Sequence, residues 1–386
     1  MKKVLLIMPT FCHGGTVRSA ISLMKHYDKT RYKIDVFCLQ RYGELESYFK
    51  DYNIIDQNIE LASYIGLSKI YKKLNFGNKI KAMYYYIKRK LFGVKKEKLF
   101  SKIAKKIVKN KNYDCVIAFQ EGMVTEFTSY IPVERKIAWI LCDYARYLTL
   151  VNRDETNIYN KYNDIVCVSK TTADSFIKCI PLVKDKVHPI FVMLDNEKII
   201  NSSKVQIEDI KFDTSKFTIV SIGRMDPVKQ FSKIPLIANE LKEKELQFKW
   251  YIIGDGGDEK SKVIDEIKKY NLENDVILLG SKENPYYYLN KANLFVCVSE
   301  SEACPNVINE AKILNKAILT NSFPAAYEFI VSGENGIICN IDEMSKYIDK
   351  FINDKEFYKK IIDGIKGFTY DNESIIKEID DLIVGE

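Results

Sequence analysis

Histidine is scarce in this sequence. Three occur in 386 residues, His13, His26 and His188, and none lies near another. A histidine-rich metal site is therefore excluded. Cysteine supplies no substitute: nine are present, an odd number, and no C-x-x-C pair occurs. That argues against both a zinc site and a disulfide framework. Cys38, Cys115, Cys167 and Cys297 fall inside apolar runs, where a free thiol acts as a small hydrophobe, and this usage points to a reducing cytoplasm. No apolar run approaches the roughly 20 residues that cross a bilayer. The opening MKKVLLIMPTF has an apolar stretch, 4–9, that is short for a leader and is soon followed by two glycines. It reads as a first parallel strand. No repeat of solenoid period and no low-complexity tract is present, and no G-x-G-x-x-G follows the first strand, so the dinucleotide fingerprint is absent.

What remains is an ordinary globular composition, 46% apolar and 29% charged, in a chain long enough for two domains with sizeable cores. The net charge of +7 is unevenly spread. Sixteen Lys or Arg and one acid, Glu97, lie between residues 69 and 111. Aromatic and aliphatic residues interleave with them in YYYIKRKLFGVKKEKLFSKIAKKIVKN, which predicts two basic amphipathic helices broken near Gly93. Such helices suit an anionic membrane surface, with Lys88, Arg89, Lys90, Lys95 and Lys96 facing it. The plainer alternative is a solvated basic face over a packed aromatic core. No recognised binding motif accompanies the charge, so nucleic acid is not an expected partner.

Apolar runs alternate with helical segments along the whole chain. VLLIMP (4–9), KIDVFCLQ (33–40), DCVIAF (114–119), KIAWIL (136–141), DIVCVS (164–169) and HPIFVMLD (188–195) predict the strands of a first domain. The polar stretch 196–215 reads as a linker. FTIVSIG (217–223), FKWYIIG (248–254), DVILLG (275–280), LFVCV (294–298), KAILT (316–320) and GIICN (336–340) predict a second series. The expected fold is α/β: two Rossmann-like doubly wound domains, residues 1–196 and 197–370, facing across a cleft, with a last helix in 371–386 packing back on the first.

The segment SESEACPNVINEA, 299–311, holds Glu302 and Glu310. It follows a buried strand, and Pro305 sits where a helix would start. Glu302 then lies in the loop at the strand's C-terminal end, and Asn306 and Glu310 share a helix face. The spacing alone equally fits a plain helix start with acids near its positive end. In SIGRMDPVKQF, Arg224 and Lys229 follow a strand that ends at Gly223. Alone, two solvent-exposed basic residues fit as well; a cation pair there also suits a diphosphate, and Gly223, which would let the backbone approach it, favours that reading. Gly14 and Gly15 follow the first strand and could present backbone N–H groups to an anion, although a simple turn fits as well. His13 beside them reads as a solvated loop residue. The loop 320–336, with Ala325 and Ala326, follows another strand and could face a phosphate or a sugar.

Together these features resemble the retaining glycosyltransferases of family 4, the group 1 transferases with the GT-B fold, over nearly the whole chain. The resemblance is carried by Gly14–Gly15, by IGR…K at 222–229, by IIGDG at 252–256 and by the E-x7-E segment with its Pro-Asn. NPYYYLNKANLFVCVS (284–299) and TNSFPAAYEFIVSGENG (320–336) share the family's texture. The resemblance implies roles. Glu310 would hold the ribose of a nucleotide sugar and Glu302 the hexose near the reacting centre. Arg224 and Lys229 would neutralise the leaving diphosphate, so no metal and no other cofactor would be required. Gly14 and Gly15 would admit the donor phosphate and acceptor, and backbone around Ala325 and Ala326 would cradle the donor. Two departures stand out. WILCDY places Cys142 where many members have histidine, followed by Asp143, and FVMLD (191–195) lacks an asparagine common before the interdomain linker. A thiol does not do an imidazole's proton chemistry at neutral pH. Either the histidine's role is dispensable, or Asp143 or Glu121 helps to orient the acceptor, or activity is impaired.

The implied function is metal-independent, retaining transfer of a hexose or N-acetylhexosamine from a nucleotide sugar, UDP-linked by first choice, to a lipid-linked or growing cell-surface saccharide. The implied location is the cytoplasm, peripheral at the inner face of the cell membrane. The alternatives are a catalytically degenerate GT-B protein serving as a membrane-associated partner subunit, and another GT-B enzyme such as a nucleotide-sugar epimerase.

Overall fold

A computed structural model describes residues 1–12, 14–207, 210, 212–213 and 215–385. The chain divides into two compact units, Met1–Met193 with the C-terminal residues from Asn372, and Leu194–Asp371.

The first unit is built on a seven-stranded sheet. Its strands are β1 (Lys2–Met8), β2 (Tyr32–Cys38), β3 (Asn53–Ile54), β4 (Cys115–Ala118), β5 (Arg135–Ile140), β6 (Asp164–Cys167) and β7 (Val187–Pro189), in the order β3-β2-β1-β4-β5-β6-β7. Every pairing is parallel; Val4 aligns with Cys115 and with Ile34. Such strands are covered on both faces, which is why β1 reads as the unbroken apolar run VLLIM, all of it buried. The order reverses between β1 and β4, so the connections leave in opposite directions there and open a crevice at the strands' C-terminal ends. Two departures from the sequence pattern occur. HPIFVMLD is a strand only as far as Pro189; the Ile190 N–H makes a last bond to the Cys167 carbonyl at 2.9 Å, and Val192, Met193 and Leu194 are buried beyond it. The two-residue β3 is too short to leave a pattern.

Helices α1 (Gly15–His26), α2 (Ile59–Tyr71), α3 (Phe76–Phe92) and α4 (Lys96–Val108) belong to this unit. α3 and α4 are the basic pair, and α3 ends at Gly93. They bury themselves very differently. α4 sinks Leu99, Phe100, Ile103, Ala104 and Ile107 into the core, whereas α3 buries Ala82 alone. Lys88, Lys90 and Lys95 are exposed. Arg89 instead donates to the Tyr64 carbonyl at 2.7 Å, and Lys96 pairs with Glu126. The terminal helix Asn372–Val384 buries Ile375, Ile379, Leu382 and Ile383; Arg31 meets Asp380 at 2.6 Å and Arg135 donates to the Leu382 carbonyl.

The second unit has six parallel strands: β8 (Phe217–Ile222), β9 (Phe248–Ile253), β10 (Val276–Gly280), β11 (Leu294–Cys297), β12 (Ala317–Asn321) and β13 (Ile337–Cys339). Their order is β10-β9-β8-β11-β12-β13, so the reversal falls between β8 and β11. The expected linker is corrected here. Residues Asn196–Lys204 form a helix, with Asp195 accepting from the Lys198 N–H at 3.1 Å. Ile199 and Ser203 are buried, and Asn284 donates to the Ser202 carbonyl at 2.7 Å. NEKIINSSK has too few apolar positions to show helical periodicity; its docking rather than its own amphipathicity stabilises it.

Candidate functional site

The reversal between β8 and β11 brings two chemistry-bearing loops side by side. The loop after β8 carries Arg224 and Lys229; the loop after β11 carries Glu302. Lys229 sits at the end of the short 3-10 turn Pro227–Lys229, and its ammonium pairs with Glu302 Oε1. Ser299 donates to the same oxygen at 2.8 Å, and Asn321 donates to the Ser299 carbonyl at 2.9 Å. Glu300 N–H to Val228 C=O, 2.8 Å, ties the two loops together. A cation and a carboxylate are thus held ready at the crevice. Arg224 is not drawn into this pair. It is 74% exposed and meets Asp226 at 2.7 Å.

The glycines of this loop act through close packing. Gly223 donates its N–H to the Ile253 carbonyl at 3.0 Å, and a Cβ there would come within 3.3 Å of Phe231. Sequence reading assigned no role to Gly254 and Gly257. A Cβ on Gly254, at φ +142, would lie 1.8 Å from the Gly223 carbonyl oxygen, and one on Gly257, at φ +79, 2.2 Å from that of Met225. Both positions demand glycine, and both shape the loop that carries Arg224. The signal was the IIGDGG text itself, which identifies no packing partner.

Glu310 lies in the second turn of the helix Asn306–Ile313, which starts immediately after Pro305. The Tyr286 hydroxyl donates to Glu310 Oε1 at 3.2 Å. Asn306 accepts from the Cys304 thiol at 3.4 Å. Ala325 and Ala326, after β12, are buried. The Ala326 N–H closes a turn on the Phe323 carbonyl at 2.9 Å, so it is directed inward.

In the first unit the candidate residues also gather at strand ends. Gly14 precedes α1 and Gly15 opens it; a Cβ on either would meet nothing within 4 Å, so both face open space. His13 lies outside the described residues. Glu121, after β4, is buried and accepts from the Leu141 N–H at 2.9 Å. Burial raises its pKa against the opposing pull of that bond and of the Cys142 thiol. Burial, reinforced by the Glu121 charge, pushes the Cys142 thiol far up, so it stays protonated. Asp143 serves the local structure, capping the helix Tyr144–Val151 by accepting from the Arg146 N–H at 3.3 Å.

The family model for glycosyl transferases group 1 matches residues 202–367, nearly all of the second unit. The second unit is a group 1 glycosyltransferase domain. Relatives agree. An uncharacterized glycosyltransferase of Haemophilus influenzae is 23% identical over 98% of this chain and 99% of its own. The Campylobacter jejuni enzyme N-acetylgalactosamine-N,N'-diacetylbacillosaminyl-diphospho-undecaprenol 4-alpha-N-acetylgalactosaminyltransferase is 28% identical over 48% of each chain. Among solved structures, Anabaena HepE in complex with UDP-glucose superposes with a TM-score of 0.75 at 16% identity, covering 100% of both chains. The chain therefore has the two-domain α/β GT-B fold, and its relatives include enzymes of polysaccharide biosynthesis. No helix among its described residues is long and apolar enough to cross a membrane.

Proposed function

We propose that this group 1 transferase moves a hexose or N-acetylhexosamine from a UDP-linked donor to a lipid-linked or growing cell-surface saccharide, with retention at the anomeric carbon and without a metal. The Lys229–Glu302 pair at the β8/β11 reversal carries the reading. A diphosphate entering there offers Lys229 a stronger anionic partner, with Arg224 on the same exposed loop as second cation, and frees Glu302 for sugar hydroxyls. Glu310, steadied by Tyr286, suits the ribose. The anomeric carbon–phosphate oxygen bond breaks, the acceptor oxygen bonds on the same face, and the acceptor proton passes to the departing phosphate. The two cations meet the charge that develops, the role a metal would otherwise take. UDP-glucose in Anabaena HepE and the diphospho-undecaprenol acceptor named for the Campylobacter enzyme favour this donor and acceptor class. A lipid-linked acceptor implies work in the cytoplasm at the inner face of the membrane.

Calorimetry with UDP, GDP and their sugars, followed by transfer onto a lipid-linked saccharide extract, tests the reading. UDP binding that is weakened by Glu310→Ala, together with a glycosylated lipid product, is the expected result. Absence of nucleotide binding overturns it. Intact donor binding without turnover assigns the chain to a partner-subunit role, a reading that Cys142 motivates, and an isomerised donor assigns it to an epimerase.

A further inference from the structure

Helix α3 inverts the usual placement of an amphipathic helix. Of its 17 residues only Ala82 is buried, and it contains no acid. Phe76, Ile80, Met83, Ile87 and Leu91 recur at spacings of four, three, four and four, which aligns them in one stripe. All five are exposed, Phe76 to 80% and Leu91 to 71%. The covered side carries Ala82 and Arg89 instead, the latter bonded to the Tyr64 carbonyl and stacked 5.3 Å from the Tyr64 ring. By the same periodicity Lys81 and Lys88 border the stripe on one side, and Lys79 and Lys90 on the other.

An apolar stripe edged on both sides by cations is complementary to a lipid–water interface: acyl chains receive the apolar side chains and anionic headgroups meet the lysines. The neighbouring α4 lacks this option, because its apolar face is already in the core. We propose that α3 is the docking element of the chain. It lies in the plane of an anionic bilayer with Phe76, Ile80, Met83, Ile87 and Leu91 inserted and with Lys81, Lys88 and Lys90 among the headgroups. Basic charge alone would hold the chain at the surface only loosely, and insertion fixes which side faces the lipid. This deepens the reading of a lipid-linked acceptor, but it is measured without donor or acceptor. A chain that binds vesicles and transfers no sugar overturns that reading and supports this one.

The test is co-sedimentation of the full chain with vesicles of phosphatidylcholine and phosphatidylglycerol, and with phosphatidylcholine alone, at low and high salt. The expected result is binding to the anionic vesicles. The triple variant Ile80→Ser, Ile87→Ser, Leu91→Ser should lower that partition at least about tenfold with an unchanged circular dichroism spectrum. A second variant reads insertion directly. The two native tryptophans, Trp139 and Trp250, are buried, so the indole of Ile87→Trp should alone shift its emission to the blue on vesicle binding. Three results overturn the proposal: wild-type chain that stays in the supernatant, a triple variant that sediments like wild type, or an introduced indole whose emission does not move. A wild-type dimer that the triple variant dissociates would make a second copy the occupant, and it too overturns the proposal.

Discussion

The two units share one architecture and use their charges in opposite ways. Each is a parallel doubly wound sheet with an order reversal, at β1/β4 in the first and at β8/β11 in the second. In the second unit, charges at the reversal point into the crevice and pair with each other, Lys229 with Glu302. In the first unit, the candidate carboxylates near the strand ends bond the chain's own backbone. Glu121 binds a backbone N–H and Asp143 caps a helix. Glu155, fully buried, collects Tyr144, Tyr147 and Arg153 at 2.7, 3.0 and 2.7 Å. On the proposed function, the second unit keeps fixed charge for a donor's diphosphate, and the first unit, given to the acceptor, needs none. The family match falls on the second unit.

That contrast breaks most visibly under two substitutions. Lys229→Ala should lower kcat by about 10²–10³-fold, because a cation that meets developing charge is removed from a preorganised site. The thermal midpoint should hardly move, since Lys229 and Glu302 both reach solvent. Steady-state kinetics beside a melting curve checks this; a loss of stability as large as the loss of rate would make the pair structural. Glu155→Ala should do the reverse. It leaves one buried phenol, one half-buried phenol and a guanidinium short of their carboxylate, at a cost of about 3 kcal/mol. That is the low end for a broken buried pair, because Arg153 keeps Glu126 at 2.8 Å and part of its contact with water. Urea unfolding measures it, and a cost below about 1 kcal/mol would remove the distinction between the units.

How much of this was legible in the sequence follows the same division. The strands were readable because a sheet covered on both faces needs continuous Val, Ile and Leu. The placement of Lys229 and Glu302 in neighbouring loops was readable because each follows such a run at its C-terminal end. The Glu155 cluster was not, for its partners come from aromatic and basic positions that satisfy no motif and meet only after folding. The helix Asn196–Lys204 hid behind polar composition, and the need for glycine at 254 and 257 is visible only once the neighbouring carbonyls are in place. Asp143 is a caution in the other direction: a carboxylate beside an expected catalytic position is used as a helix cap.

A smaller effect separates burial from function inside the second unit. Lys312 is buried, with its ammonium on the Phe329 carbonyl and 4.9 Å from the Phe368 ring, and desolvation lowers its pKa from 10.5 to about 8. Between those values the unfolded chain binds a proton that the folded chain does not, so stability attributable to this residue rises with pH across that window. Lys312→Met should therefore stabilise the chain at pH 7 by about 1 kcal/mol, after allowance for the orphaned carbonyl, and the gain should fade toward pH 10. Melting curves of both proteins against pH decide it; a constant difference would place the effect in packing.

The smallest effect is expected at Glu121, where it separates two roles that the first unit leaves open. Burial raises this carboxyl's pKa. Between the unfolded value and the raised one the folded chain holds the proton more tightly, so stability falls as pH rises through that interval. Glu121→Gln keeps an oxygen for the Leu141 N–H and removes the charge, so its midpoint should lie a few degrees above wild type at pH 7 and coincide with it near pH 4. If Glu121 only closes the end of β4, kinetics will be unchanged while the melting curves shift. If it also orients the acceptor in place of a histidine at position 142, the same variant will raise the acceptor KM or lower kcat with donor affinity intact. Glu121→Gln with unaltered kinetics would then make the crevice of the first unit, unlike that of the second, a surface whose charge is kept for folding alone.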